Sequence, residues 1–375
     1  MKIKGKKDIV LKKFAYILTI VLTAFLIRGC SKDENDDEKN NIVHIDIIDK
    51  PSPSPTVKPT PTPEIESYEG KMRSYLTGQW VDEEIGQKRP YAVQFSNFKT
   101  VANQWGIGQA DIVYEALVEG GITRLLAIGE NFTGDRIGSI RSSRHYFASL
   151  AEEYNAIYIH FGKTKYAVSK LKELKSENLD GETGIGTTVF YRDKSMNAPH
   201  NAFASLEGIH KGIEKKAYDT EYSEDFEPHF QFHEKEKDLP GDQLANKVTV
   251  GYSYYTSPCF EYNEEDKLYY RYQFGGPHKD SNTDQQLTFK NLIIQFVKQR
   301  AIDRNDYQTI DFEDASGLGI YITNGKRIPI TWKKNEKTSF MRYYTEDGQE
   351  LIMNPGKTFI TLFPDRKADE LIIED

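Results

Sequence analysis

The sequence predicts a mixed α+β fold, with an N-terminal α/β domain followed by a mostly antiparallel β domain, preceded by a signal peptide and a Pro-rich tether. Three observations predict it. Between about Arg89 and Lys215, runs of period two alternate with runs of helical period. Beyond Pro240-Gly241 only strand-like runs occur. Ahead of both lie a basic leader, an acidic stretch and a proline-rich stretch that have no pattern able to build a core. The chain has 375 residues, 38% of them hydrophobic, which is enough for more than one domain.

Residues 1–29 read as an export signal. Lys2, Lys4, Lys6, Lys7, Lys12 and Lys13 precede the apolar run Phe14 to Ile27, and Arg28, Gly29 and Cys30 follow it. Fourteen apolar residues make a helix of about 21 Å, short of the roughly 30 Å hydrocarbon core. A signal h-region is therefore expected rather than a permanent span. Ile-Arg-Gly-Cys resembles the bacterial lipobox, which implies cleavage after Gly29 and lipid on Cys30, although Arg28 departs from the usual small or apolar residue. Residues 30–75 are expected to be an acidic and Pro-rich tether, whose stretch Pro51 to Pro63 reaches about 40 Å as polyproline II. The expected location is the outer face of the cell membrane, with the membrane itself as partner through the lipid.

The α/β domain is placed at 76–238. RPYAVQFSN, DIVYEALVE and ITRLLAIGE read as strands, the last two joined by a two-residue turn at Gly120-Gly121. A helix from about Ser142 to Tyr154 follows, with Ser142 or Ser143 as its N-cap. Next come the strand AIYIHFG, a helix near Tyr166 to Leu174, a strand TTVFYRD, and a helix from Asn201 to Lys215 capped by Asn201. The β-rich domain, 239–375, contains KVTVGYSYY, KLYYRYQF, LTFKNLIIQFV, GIYITNGKRIPITW, SFMRYYTEDGQELIM and KTFITLF. Asn324-Gly325 and Asp347-Gly348 mark hairpin turns within it.

Charge narrows the function classes. The formal net charge is -8, and removing residues 1–29 with their net +6 leaves -14. Such a field repels nucleic acid, so no nucleic-acid partner is expected. The only cysteines are Cys30 and Cys259, so no disulfide framework forms, and Cys259 is expected to be a buried structural thiol.

Against this acidic background GSIRSSRH, Gly138 to His145, carries two arginines and a histidine without an acid. In the expected hairpin, Asp111, Val113, Glu115, Leu117 and Glu119 share one face, while Ile112, Tyr114, Ala116 and Val118 form core on the other. The two-residue turn sets Arg124 between Glu115 and Glu119, where the three charges satisfy one another. Arg141 and Arg144 are left without a local acid at a helix N-terminus, where cations are disfavoured by about 0.3 to 1 kcal/mol each. Two solutions remain open. An internal acid such as Asp111 or Glu115 reaches across, or a phosphate, sulfate or carboxylate binds to Arg141, Ser142, Ser143, Arg144 and His145. His160 in YIHFG and His200-Asn201 in NAPHNAF are the candidate acid-base and polar groups if they converge on the arginines. Taken singly, each is a structural residue.

Further motifs fail on their surroundings. NPGKT lacks the first glycine of a phosphate loop, since Leu351 stands there. His229 and His233 alternate with Phe230 and Phe232 as in a strand, which argues against metal binding. GGPHKD, with His278 and Asp280, reads as a structured turn, and GETGIG is too degenerate to indicate a dinucleotide. No HExxH or GxSxG occurs. No metal site and no cofactor is expected.

Several long segments resemble a known family. RPYAVQFSN, GQADIVYEALVEGGITRLLAIG, IGSIRSSRHYFASLAEEYNAIYIHFG and APHNAFAS are similar to the N-terminal domain of the YerB-like bacterial lipoproteins. RYQFGGPHKD, NLIIQF, GKRIPITWKK and DGQELIMNPGKTFITL are similar to that family's C-terminal domain. The resemblance runs from about Gln87 to Pro364 and implies a lipoprotein, mostly found in Gram-positive organisms. It implies no reaction and no role for GSIRSSR or APHN.

Three functions are consistent with these readings. The leading one is a tethered envelope lipoprotein that binds an anionic envelope component or a partner protein near Arg141 and Arg144. The alternatives are a hydrolase of an anionic envelope substrate that uses His160 or His200, and a structural assembly factor with an exposed aromatic patch.

Overall fold

The computed structural model describes residues 68–224, 226–336 and 339–375, so the expected signal peptide, Cys30 and the run Pro51–Pro63 lie outside the described residues. Period-two runs rich in β-branched and aromatic residues form strands because such side chains pack on a pleated surface. The first part of the chain supplies β1 (Tyr91–Asn97), β2 (Ile112–Leu117), β3 (Thr123–Gly129), α1 (His145–Glu153), β4 (Ile157–His160), α2 (Lys165–Leu174), β5 (Asn178–Asp180) and α3 (Leu206–Lys216). The second part supplies β6 (Lys247–Val250), β7 (Cys259–Asn263), β8 (Leu268–Gln273), β9 (Asn291–Ala301), β10 (Gln308–Asp311) and β11 (Ala315–Thr323). It continues with β12 (Lys326–Lys334), β13 (Arg342–Tyr344), β14 (Thr358–Pro364) and β15 (Leu371–Glu374). The class is α+β, as the sequence predicts, with much strand and few helices.

The main sheet has 11 strands in the order β13-β12-β11-β9-β14-β2-β3-β1-β4-β5, with β10 paired to β9. Strands from both parts of the chain join in it. β14 pairs in parallel with β9 and with β2, so that Thr358 stands opposite both Asn291 and Ile112. A smaller sheet holds β8, β7, β6 and β15 in that order.

A strand in the middle of a partly parallel sheet is covered on both faces. Ile112, Tyr114 and Ala116 of β2 pack in one core with Tyr146, Phe147, Leu150 and Tyr154 of the α1 region. Val113 and Leu117 point the other way, into a core shared with Val248, Val250, Tyr252, Phe260 and Tyr269 around the smaller sheet. The expectation of one core face and one charged face on β2 is therefore corrected: both faces are core, and Glu115 is wholly buried.

Two helix starts also differ from the expectation. Ser143 donates its backbone N–H to the Gly162 carbonyl at 2.9 Å and bridges to Lys163. The chain is therefore still extended at Ser142 and Ser143, and Arg144 is the N-cap of α1, with no side-chain cap bond. Asn201 does not cap a helix, because it precedes the strand Ala202–Ala204. The cap of α3 is Ser205, whose hydroxyl accepts from the Gly208 N–H at 3.0 Å.

Candidate functional site

The site is built where β3, the segment before α1, the end of β1 and the loop ahead of Ala202–Ala204 come together. The hairpin register decides its charge. Val118 to Ile122 connect β2 and β3, and Ala116 stands opposite Arg124 with Leu117 opposite Thr123. A two-residue turn would have set Leu117 against Arg124. The difference is one residue, and in a strand one residue reverses the face. Arg124 therefore points to the α1 side, away from Glu115.

The expected Glu115–Arg124–Glu119 network is replaced by three separate arrangements. Glu115 accepts from Arg271 Nη2 at 2.8 Å, Thr123 Oγ1 at 2.6 Å and Asn97 Nδ2 at 3.1 Å. Glu119 accepts from Arg144, whose Nε lies 2.8 Å away and whose Nη2 makes the second bond of a fork. Burial works against the Glu119 carboxylate, but the hydrogen bond and charge of Arg144 hold its pKa below the usual value. Arg124 has neither acid. Among the described residues its side chain has one hydrogen bond, from Nη1 to the carbonyl of Ser142, although it is just 5% exposed. Burial first, then the charges of Arg144 and Arg141, pull its pKa down to about 9 against the opposing charge of Glu119.

Arg141 likewise has no carboxylate. Its Nη1 donates to His200 Nδ1 at 3.0 Å. The same Nη1 lies 3.4 Å from Nε2, and since a guanidinium can only donate, the His200 ring supplies an acceptor nitrogen. Ser96 Oγ lies 3.1 Å from Nδ1, and Phe98 stacks on the ring at 5.1 Å. Burial, Arg141 and Arg124 lower the His200 pKa, in that order. Burial and Arg144 do the same to Arg141. Three guanidinium groups thus share a neighbourhood, and of the three Arg144 is the one bonded to a carboxylate, that of Glu119.

The other anticipated residues divide. Ser142 takes part through its carbonyl, which accepts from both Arg124 and Arg144, the latter at 3.2 Å. Ser143 is buried, and its Oγ turns to the Arg144 carbonyl at 3.3 Å. His145 points elsewhere: Nε2 meets Thr309 Oγ1 at 2.9 Å, and burial followed by Lys170 pushes its pKa to about 4. Asn201 accepts from Arg192 at 2.7 Å and donates to the carbonyls of Asp193 and Met196, so it braces its own loop.

His160 does not converge on the arginines. It is fully buried, with Nδ1 2.9 Å from the Gly162 carbonyl and Nε2 3.3 Å from Asn178 Oδ1. Of the two histidines only His200 belongs to the site. Sequence reasoning missed Arg124, Ser96 and Phe98. The signal for Arg124 was present as a third arginine near the others, but the assumed register had neutralised it.

Elsewhere, several buried charges are matched, although Glu130 is a buried carboxylate beside Asp111, and burial followed by the Asp111 charge raises its pKa to about 8. Arg271 bonds Glu115, and its Nη1 contacts His278, whose Nε2 lies 2.5 Å from Gln104 Oε1. Glu153 bonds Lys334 at 2.5 Å and His229 at 2.9 Å. Asp280 accepts from the N–H groups of Gly106 at 3.1 Å and Gly108 at 2.7 Å, which makes GGPHKD a clasp between the two parts of the chain. Cys259 is half-buried rather than buried, because β7 turns one face outward, and burial raises its thiol pKa. Among the described residues, no group of three or more His, Cys, Asp or Glu side chains is placed to hold a metal ion. No described helix is long and apolar enough to cross a membrane.

Fold and site together define a two-part α+β protein with a cluster of three arginines beside the β2–β3 loop. The chain belongs to the DUF3048 family, since residues 76–219 match the model "Protein of unknown function (DUF3048) N-terminal domain" and residues 248–360 match its C-terminal counterpart. It is 29% identical over 299 residues to YerB of Bacillus subtilis (strain 168), a protein named as a lipoprotein. That match covers 80% of this chain and 88% of the relative. The crystal structure of the Bacillus subtilis YerB protein superposes with a TM-score of 0.72 at 28% identity, covering 81% of this chain and all of that one.

Proposed function

We propose that this protein is a lipid-anchored, extracytoplasmic component of the cell envelope that binds an anionic envelope group through Arg124 and Arg141. One observation carries the reading. Among the described residues, the Arg124 guanidinium is buried with a carbonyl as its bonded partner, beside two further arginines of which Arg144 bonds Glu119. An unpaired buried cation is costly, and a bound anion offsets that cost. Arg141, now resting on a neutral imidazole, supplies the accessible donors, and a fork of N–H groups suits phosphate, sulfate or carboxylate. The anchor reading rests on the Ile-Arg-Gly-Cys stretch ending at Cys30 and on the name given to the Bacillus subtilis relative.

Binding is favoured over hydrolysis because the one histidine present is a poor base. His200 already receives Arg141, and burial followed by neighbouring positive charge disfavours its protonation.

Titration calorimetry with inorganic phosphate at low ionic strength tests the site. The full chain is expected to bind, and Arg141→Ala to lose at least about tenfold in affinity, a loss of about 1.4 kcal/mol. Equal affinity in both proteins, with unfolding profiles unchanged, sinks the assignment. For the anchor, Cys30→Ala is expected to move the protein out of the membrane fraction. Retention there would mean that the run Phe14 to Ile27 holds it instead.

A further inference from the structure

At the start of β11 the main sheet forks. β12 pairs with β11 along its whole length, Ala315 to Thr323, whereas β9 takes the other edge only from Gly319 onward. Beyond that point β9 pairs instead with β10, from Lys298 to Ala301. Among the described residues, the edge of Ala315–Leu318 turned away from β12 therefore has no ladder partner. A row of unpaired N–H and C=O groups is a template for a further strand.

A cleft of about 700 Å³ lies along this edge, lined by the consecutive residues from Glu313 to Leu318. Its floor is apolar and closed. Trp332 is 2% exposed and donates its Nε1–H to the Phe296 carbonyl at 2.9 Å, in the gap between the two pairings of β9. Gly317 lets the indole lie there, since a Cβ on Gly317 would stand 2.6 Å from Trp332 Nε1. Phe296 is half-buried in the cleft, and Leu318 beside it is 67% exposed, the most of any described large aliphatic side chain. The rim is acidic, with Asp311, Glu313, Asp314 and Asp365 against Lys298. Asp311 pairs with Arg300 and Glu313 with Lys170. Asp314 and Asp365 are exposed, and among the described residues neither has a cation as partner.

We infer that this cleft is a docking surface for a cationic, extended peptide segment of a partner protein. The segment adds to the free edge of β11, sets apolar side chains against Phe296 and Leu318, and turns lysines or arginines toward Asp314 and Asp365. Side chains alternate along a strand, so the apolar floor and the acidic rim together select a sequence in which basic and β-branched residues alternate. Carboxylates around the cleft also draw a basic segment in and repel an acidic one.

Fluorescence anisotropy at low ionic strength tests this with three labelled hexapeptides: Lys-Val-Lys-Val-Lys-Val, the same with glutamate for lysine, and the same with proline for valine. Proline keeps the charge but removes the N–H groups that pairing needs. The Lys-Val peptide is expected to bind the full chain at least about tenfold tighter than either of the others. The double variant Asp314→Asn/Asp365→Asn, and separately Leu318→Ser, should each weaken it by about tenfold. Asparagine tolerates the φ of +51° at position 314, and all three positions are exposed, so unfolding profiles should be unchanged. A glutamate or proline peptide that binds as tightly as the Lys-Val peptide, a double variant of unchanged affinity, or no binding of any of the three by the parent chain overturns the docking surface.

Discussion

Arg271 and Arg141 each donate to the Nδ1 of a histidine, His278 in one case and His200 in the other. The resemblance ends there. Arg271 is wholly buried and carries a carboxylate, Glu115, which itself receives Asn97 and Thr123. Arg141 lies nearer the surface with no carboxylate, beside Arg124, which is buried and also has none. Burial and the adjoining guanidinium lower the pKa of both histidines, His278 well below its ordinary value. One cluster is electrically complete and joins two sheets. The other holds two guanidinium groups with no bonded carboxylate, Arg124 buried and Arg141 partly exposed. The contrast separates an Arg–His pair that carries a carboxylate from one in which neither group bonds a carboxylate.

The largest expected effect comes from breaking the complete cluster. Glu115→Ala leaves Arg271 buried and unpaired and should cost about 3–5 kcal/mol, read from urea unfolding. A cost below about 1 kcal/mol would mean that Arg271 is neutralised in another way. Next, Glu119→Gln removes the acid bonded to Arg144. Stability should fall by about 1–3 kcal/mol, and sulfate should stabilise the variant more than it stabilises the parent protein. A sulfate response unchanged by that substitution would show that the three arginines do not act on a common anion.

Arg124→Met sharpens the contrast from the other side. Replacing an unpaired buried cation with an apolar chain of similar length should leave stability unchanged or raise it by up to about 2 kcal/mol, and sulfate should lose its effect. A marked destabilisation would mean that the bond to the Ser142 carbonyl outweighs the buried charge.

The smallest effect is in pH. The folded pKa of His200 lies below its unfolded value, so as pH falls the unfolded chain takes the proton first, and stability is lost below about pH 6.5. A bound anion offers the imidazolium a partner. Stabilisation by sulfate, whose charge is constant over this range, should therefore grow between about pH 7.5 and 5.5, and should grow less in His200→Asn. Identical pH profiles would remove His200 from the site.

Much of this contrast was legible before any fold was known. Strong alternation in YAVQFSN, IVYEAL, TRLLAIG and TFITLFP announced strands, and each of these runs is one. The stripe Tyr146, Phe147, Leu150, Ala151 announced α1. The excess of cations in GSIRSSR was visible as well. What failed was local pairing. Gly120-Gly121 suggests a tight turn, yet Ser253 and Asp306 hold the loop open from outside, with the Ser253 hydroxyl on the Gly121 carbonyl and Asp306 accepting from the Gly120 N–H at 3.2 Å. Ser142 and Ser143 look like caps, but a bridge to Lys163 keeps the chain extended there. The expected partner of Arg124 was taken up by Arg271, 156 residues from Glu115.

Residue order dictates the elements and their amphipathic faces because side-chain period and turn chemistry are properties of neighbours along the chain. It equally dictates how many charges of each sign must be accommodated. Which acid meets which arginine is settled only when β14 slots between β9 and β2 and the smaller sheet presents Arg271 to Glu115. Coulomb attraction acts over a few ångströms and depends on burial, whereas separation along the chain says little about either, so the surplus at Arg124 and Arg141 is visible only in three dimensions.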